Sequence, residues 1–180
     1  MTDKLPAGQQ SWRSTLLGWA LTATFAVLFW NIVTMPRTPL DQRDFLHVMH
    51  YSVGLVVFVL AVIRIRWWFS EPTPEPPQGL PAASFGFSRA ILLALLLVYA
   101  VEGFIGFAYA WGTGHPVSLF GISVPALLPQ SEPTRMAMGY FHSALGFYYL
   151  MLFSIWIAFG AYQHLRYRVG LMRLLPGARV

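Results

Sequence analysis

Four runs of apolar residues, each long enough to cross a bilayer, fix what this chain can fold into. The last of them begins at Met136 and reads MAMGYFHSALGFYYLMLFSIWIAFGAYQ, with no acidic or basic residue apart from one histidine. Spans are expected at about 15–35, 45–68, 89–111 and 136–162. A helix needs roughly 20 apolar residues to cross a hydrocarbon core of about 30 Å. Backbone polar groups in hydrocarbon must be satisfied within the segment, which makes each run a helix. With 56% hydrophobic and only 11% charged residues, too little charge remains to solvate a globule of this size. The expected fold is therefore all-α and integral to the membrane, a bundle of four transmembrane helices forming one domain. The first run is too long for the apolar region of a signal peptide, and the residues after Asn31 lack a small-residue cleavage site.

The formal charge of +5 is a statement about topology, not about nucleic acid. Nine of the twelve Lys and Arg lie before the first run (Lys4, Arg13), between the second and third (Arg64, Arg66, Arg89) or after the fourth (Arg166, Arg168, Arg173, Arg179). Only Arg37, Arg43 and Arg135 flank the other side. Cytoplasmic loops carry the excess of Lys and Arg, so both termini of this multi-pass membrane protein are expected in the cytoplasm. There is no cysteine, which excludes disulfides, cysteine-held iron–sulfur clusters and thioether-linked haem.

Between the runs, Pro36 and Pro39 close the first helix, because proline lacks the amide donor and disfavours helix just before it. The connection 69–88 contains Glu71-Pro-Thr-Pro-Glu-Pro-Pro and reads as a stiff cytoplasmic link. Residues 112–135 form a periplasmic loop whose apolar stretch, Val117 to Pro125, is expected to lie on the membrane surface. Glu102 sits nine residues before Trp111, about 13 Å down the third helix at 1.5 Å per residue. A carboxyl at that depth faces the bundle interior, is protonated, or both. Two readings of it stand: a neutral acid hydrogen-bonded to a neighbouring helix, or a group that handles protons or quinone.

Depth separates the five histidines. His115 belongs to the periplasmic loop and His164 to the cytoplasmic end of the fourth run, both interfacial. His50 and His142 enter from the same surface at matching depth, and two facing imidazoles can complete the axial coordination of a haem iron. His47, three residues before His50, is the alternative ligand. Gly54 and Gly146 each follow a histidine by four residues, on the same face, leaving space for a flat macrocycle. Glycines also let membrane helices approach one another, a reading that is stronger for either glycine alone than for the matched pair. One non-covalent haem b clamped by His50 and His142 is the expectation from these residues.

The chain resembles the bacterial cytochrome b561 family over nearly its whole length. The resemblance rests on His50-Tyr-Ser-Val-Gly-Leu with Arg64 fourteen residues after the histidine, the proline-rich connection, Gly114-His-Pro-Val-Ser-Leu-Phe-Gly-Ile-Ser-Val-Pro, Phe141-His142 and the terminal Leu171-Met-Arg-Leu-Leu-Pro. It implies four membrane helices, b-type haem and electron exchange with membrane quinone. Family members carry two haems, and the ligand positions of the one nearer the periplasm correspond to His50 and His142. The ligand positions of the haem nearer the cytoplasm are occupied here by Gly18 and Trp156, neither of which can ligate iron. The expectation is one haem instead of two, with Trp156 filling volume that would otherwise be a costly cavity.

The function expected from this is electron transfer between a periplasmic donor or partner subunit and quinone. The chain acts alone or within a larger respiratory or photosynthetic membrane complex, in contact with lipid and not with nucleic acid. The alternative is a structural or assembly subunit that keeps the helix scaffold. A transporter is disfavoured, since only one acidic residue lies inside a span and no pair of broken helices is present.

Overall fold

A computed structural model describes residues 12–169; the terminal motif beginning at Leu171 lies outside them. Helix α1 runs Trp12–Thr34, α2 Asp44–Ser70, α3 Ala82–Trp111 and α4 Glu132–Tyr167. All four are long and apolar enough to cross a membrane. They outrun the apolar segments that announce them. With 36 residues α4 is roughly 54 Å long, well beyond the hydrocarbon thickness. Helix α3 starts seven residues before Arg89, inside the proline-rich connection, directly after Pro81.

The helix ends are closed by local chemistry. After α1, Pro36 sits in a short 3-10 turn, and the last carbonyls receive cationic and hydroxyl donors: Arg37 Nη1 to Val33 O, and Thr38 Oγ1 to Thr34 O at 3.1 Å. Arg43 Nε reaches back 2.7 Å to Thr38 O, tying this connection to the start of α2. Ser131 caps α4, its Oγ accepting from the Thr134 amide at 3.4 Å, with proline at the start of the helix, where its missing donor costs nothing.

The loop after α3 holds a two-stranded antiparallel hairpin, β1 Val117–Leu119 and β2 Ile122–Val124, with Ser118 opposite Ser123. Its two-residue turn places Phe120 at φ 52° and Gly121 at φ 82°, the left-handed pair that matches strand twist. The apolar stretch expected at the membrane surface forms this hairpin and packs on α2. Val117 is buried, and the Phe120 amide donates to Ser52 Oγ at 2.7 Å.

Packing is uneven along the bundle. Helix α3 packs on both α2 and α4, and α1 packs on α2. A Cβ at Gly103 would stand 2.8 Å from Phe58 Cβ, so glycine there permits the close approach of α2 and α3. The buried clusters gather where α1 and α3 begin: Leu17, Leu21, Ala61 and Leu96 in one, Ile91, Leu95 and Tyr149 in the other. Towards the opposite, hairpin end the helices part around a cavity.

Candidate haem site

The cavity has a volume of about 530 Å³ and is lined by residues of all four helices, among them His50, Gly54, Glu102, Gly106, His142 and Gly146. The two histidine rings face each other across it, centroids 6.0 Å apart and planes at 86°. Two imidazoles bound to one metal ion through bonds of about 2 Å have their ring centres about 6 Å apart. Among the described residues, no group of three or more His, Cys, Asp or Glu converges on one point. Two imidazoles alone underfill a tetrahedral site, but they complete a metal that brings its own equatorial ligands. The residues present therefore fit haem.

Each ring is held from behind. His50 Nδ1 lies 3.0 Å from Asn31 Oδ1, and Asn31 Nδ2 donates to the Leu46 carbonyl at 2.9 Å. Because a carbonyl only accepts, the amide nitrogen must face Leu46 and the amide oxygen must face His50. His50 therefore carries its proton on Nδ1 and keeps the Nε2 lone pair for a ligand. Asn31 is fully buried. Sequence reasoning missed it as a site residue; the available signal was an amide inside an apolar run at the depth of His50.

His142 leans on α3. A Cβ at Gly106 would stand 2.9 Å from its Cε1, and Tyr109 stacks beside it at 6.4 Å and 25°. Its Nδ1 is 3.1 Å from Glu102 Oε1, near enough to bond but not aligned. Glu102, read from the sequence either as a neutral acid bonded to a neighbouring helix or as a group that handles protons or quinone, turns its carboxyl to the imidazole of α4. The glycines differ: a Cβ on Gly54 would meet nothing within 4 Å, whereas one on Gly146 would stand 3.6 Å from Glu102 Oε1.

The remaining histidines stand apart. His47 is exposed at the cavity rim, stacked on Tyr51 at 6.4 Å. His115 is exposed in the loop, and His164 Nδ1 lies 2.9 Å from the Val169 carbonyl at the far end of α4. Gly18 is buried in α1, its carbonyl accepting from Thr22 Oγ1 at 2.9 Å. Trp156 stacks on Phe153, centroids 6.0 Å apart, and packs against the cluster of Ile91, Leu95 and Tyr149.

Comparison with known proteins agrees with this frame. Residues 9–177 match the family described as prokaryotic cytochrome b561. Over 117 residues, 64% of this chain and 62% of the relative, the sequence is 30% identical to cytochrome b561 homolog 2 of Escherichia coli (strain K12). The match thus spans less than two thirds of that relative's length. Four membrane-length helices, a paired-histidine cavity and a family match across nearly the whole chain lead to one assignment: the chain belongs to the prokaryotic cytochrome b561 family.

Proposed function

We propose that this chain is a membrane b-type cytochrome that holds one haem b between His50 and His142 and exchanges electrons with quinone. The carrying observation is the pair of imidazoles 6.0 Å apart across a cavity bordered by glycine. Bound there, haem supplies a one-electron iron couple; the family is one that binds haem b. The protein's part is positional. His50 and His142 would hold the iron, Gly54 and Gly146 would leave room for the ring, and apolar side chains would exclude water from it.

Clustering of Arg64, Arg66 and Arg89 at the end away from the hairpin supports a periplasmic hairpin and a haem nearer that face of the inner membrane. The count of one rests on Gly18 and Trp156 and on the packing around the latter. With no second carrier, about half of the roughly 30 Å core lies beyond the haem. Electrons then enter and leave on one side, from a periplasmic donor or partner subunit to quinone in the bilayer.

The test is the haem-to-protein ratio of purified protein, with reduced-minus-oxidised spectra, repeated for His142→Ala. One b-type haem per chain, absent from the variant, is the expected result. Two haems would overturn the single-site reading, and none would leave a scaffold or assembly subunit as the better account. Orientation has its own check. Because the chain has no cysteine, Ser118→Cys gives a unique thiol, expected to react with an impermeant reagent from the periplasm.

A further inference from the structure

We infer that Asn31 and Glu102 are the positioning residues of the two imidazoles, one on each side of the cavity, and that they hold the rings in crossed planes. The inference rests on the haem site proposed above. On one side the chain of contacts runs Leu46 O, Asn31 amide, His50 Nδ1, with both hydrogen-bond distances at or below 3.0 Å. On the other, Glu102 Oε1 stands 3.1 Å from His142 Nδ1. Glu102 Oε2 and His142 Nδ1 are both buried without a hydrogen-bond partner among the described residues. Buried polar atoms left in that state are costly, and Glu102 Oε1 already stands within bonding distance of His142 Nδ1.

The surroundings leave His142 little other freedom. A side chain at Gly106 would collide with the ring, while Tyr109 stacks alongside it. Helix α3 therefore approaches His142 closely enough for its carboxyl to set the ring's rotation. On the far side Asn31 bonds His50, and the two ring planes stand at 86°. Outer acceptors of this kind fix tautomer and orientation and raise the basicity of the ligand. Removing one weakens metal binding by about 10–100-fold in comparable sites.

The experiment compares wild type, Glu102→Gln, Glu102→Leu and Asn31→Leu at one fixed pH. It reads haem affinity, the midpoint potential and the low-spin ferric electron paramagnetic resonance spectrum, whose anisotropy reports the angle between axial imidazole planes. Crossed planes give a strongly anisotropic signal in wild type. Glu102→Gln keeps an acceptor and retains that signal. Glu102→Leu releases His142: affinity falls about 10–100-fold, and the anisotropy shrinks as the rings turn towards parallel. The potential rises because a less basic imidazole stabilises ferric iron less; each tenfold shift in the redox equilibrium is 59 mV for one electron. Asn31→Leu acts alike through His50. If haem depends on His50 and His142 but both Leu variants match wild type in all three measurements, the positioning role is wrong and the haem site stands. If the leucine variants hold no haem, Glu102→Gln decides: wild-type anisotropy supports the inference, and a collapsed anisotropy overturns it. Haem that persists without either histidine overturns the site and this inference together.

Discussion

At the hairpin end, α2 and α4 hold histidine rings 6.0 Å apart across a cavity of about 530 Å³. Fourteen residues further along α4, the side chain on the same helical face is Trp156, stacked on Phe153. Around it Phe25 lies 4.9 Å from Phe153 and 5.2 Å from Tyr149, while Tyr99 and Tyr149 stack at 4.2 Å. The same four helices thus enclose two environments, and residue size separates them. Glycines at 54 and 146 keep one end open, whereas aromatic rings fill the other. Tyr99 and Tyr149 belong to both, since they also line the cavity.

Filling the open end is the largest perturbation. Leucine at Gly54 projects into space where a Cβ meets nothing within 4 Å, so the protein without haem should fold unchanged and haem should be excluded. Unaltered helical circular dichroism with a haem ratio near zero is the expected result. Haem retained by Gly54→Leu would show that this glycine does not border the macrocycle. Gly106→Ala is the next in size. Its methyl carbon would fall 2.9 Å from His142 Cε1, and the ring must give way. Affinity for haem should drop about 10–100-fold, as when a metal ligand loses its support. A spectral titration with haemin measures it, and Gly54→Ala serves as the milder comparison.

The sequence carries the open end more clearly than the filled one. His50, His142, Gly54 and Gly146 stand out because a metal-ligating or very small residue is conspicuous in an apolar run, and their depth follows from simple helix rise. The four helices were equally legible, since hydrocarbon admits few other structures. Partners across helices were not legible. Nothing in a single chain says that Asn31 of α1 turns to His50, or that Glu102 of α3 turns to His142. Those facts depend on the rotation of each helix about its own axis, and these spans are apolar around most of their circumference. The hairpin was hidden for another reason. Its turn is Phe120-Gly121, without the Asn-Gly or Asp-Gly signature, and its strands are three residues each.

Emptying the filled end should affect stability and spare the cofactor. Trp156→Ala removes a partly buried ring from the cluster of Ile91, Leu95 and Tyr149. The cost should be about 2–3 kcal/mol, below the range for fully buried aromatic residues. It should appear as a lower thermal midpoint in detergent, with the haem-to-protein ratio unchanged. A ratio that fell with Trp156→Ala would mean that the two ends are not independent.

The smallest effect belongs to the hairpin, and it asks whether the open end needs its cover. Ser52 lies two residues past His50; its hydroxyl donates to Val48 O at 2.6 Å and accepts from the Phe120 amide at 2.7 Å. Ser52→Ala removes the acceptor and leaves the buried Val117 as the main tether of the strands to α2. A single hydrogen bond of this type contributes about 1 kcal/mol. The hairpin should therefore stay docked and open more often, with faster hydrogen exchange at the Phe120 amide and little change elsewhere. Haem content should hold, because neither His50 nor Asn31 bonds to the hairpin and the cavity walls are helical. Loss of haem in Ser52→Ala would instead make the hairpin a structural member of the site, and the helices alone would no longer account for the cavity.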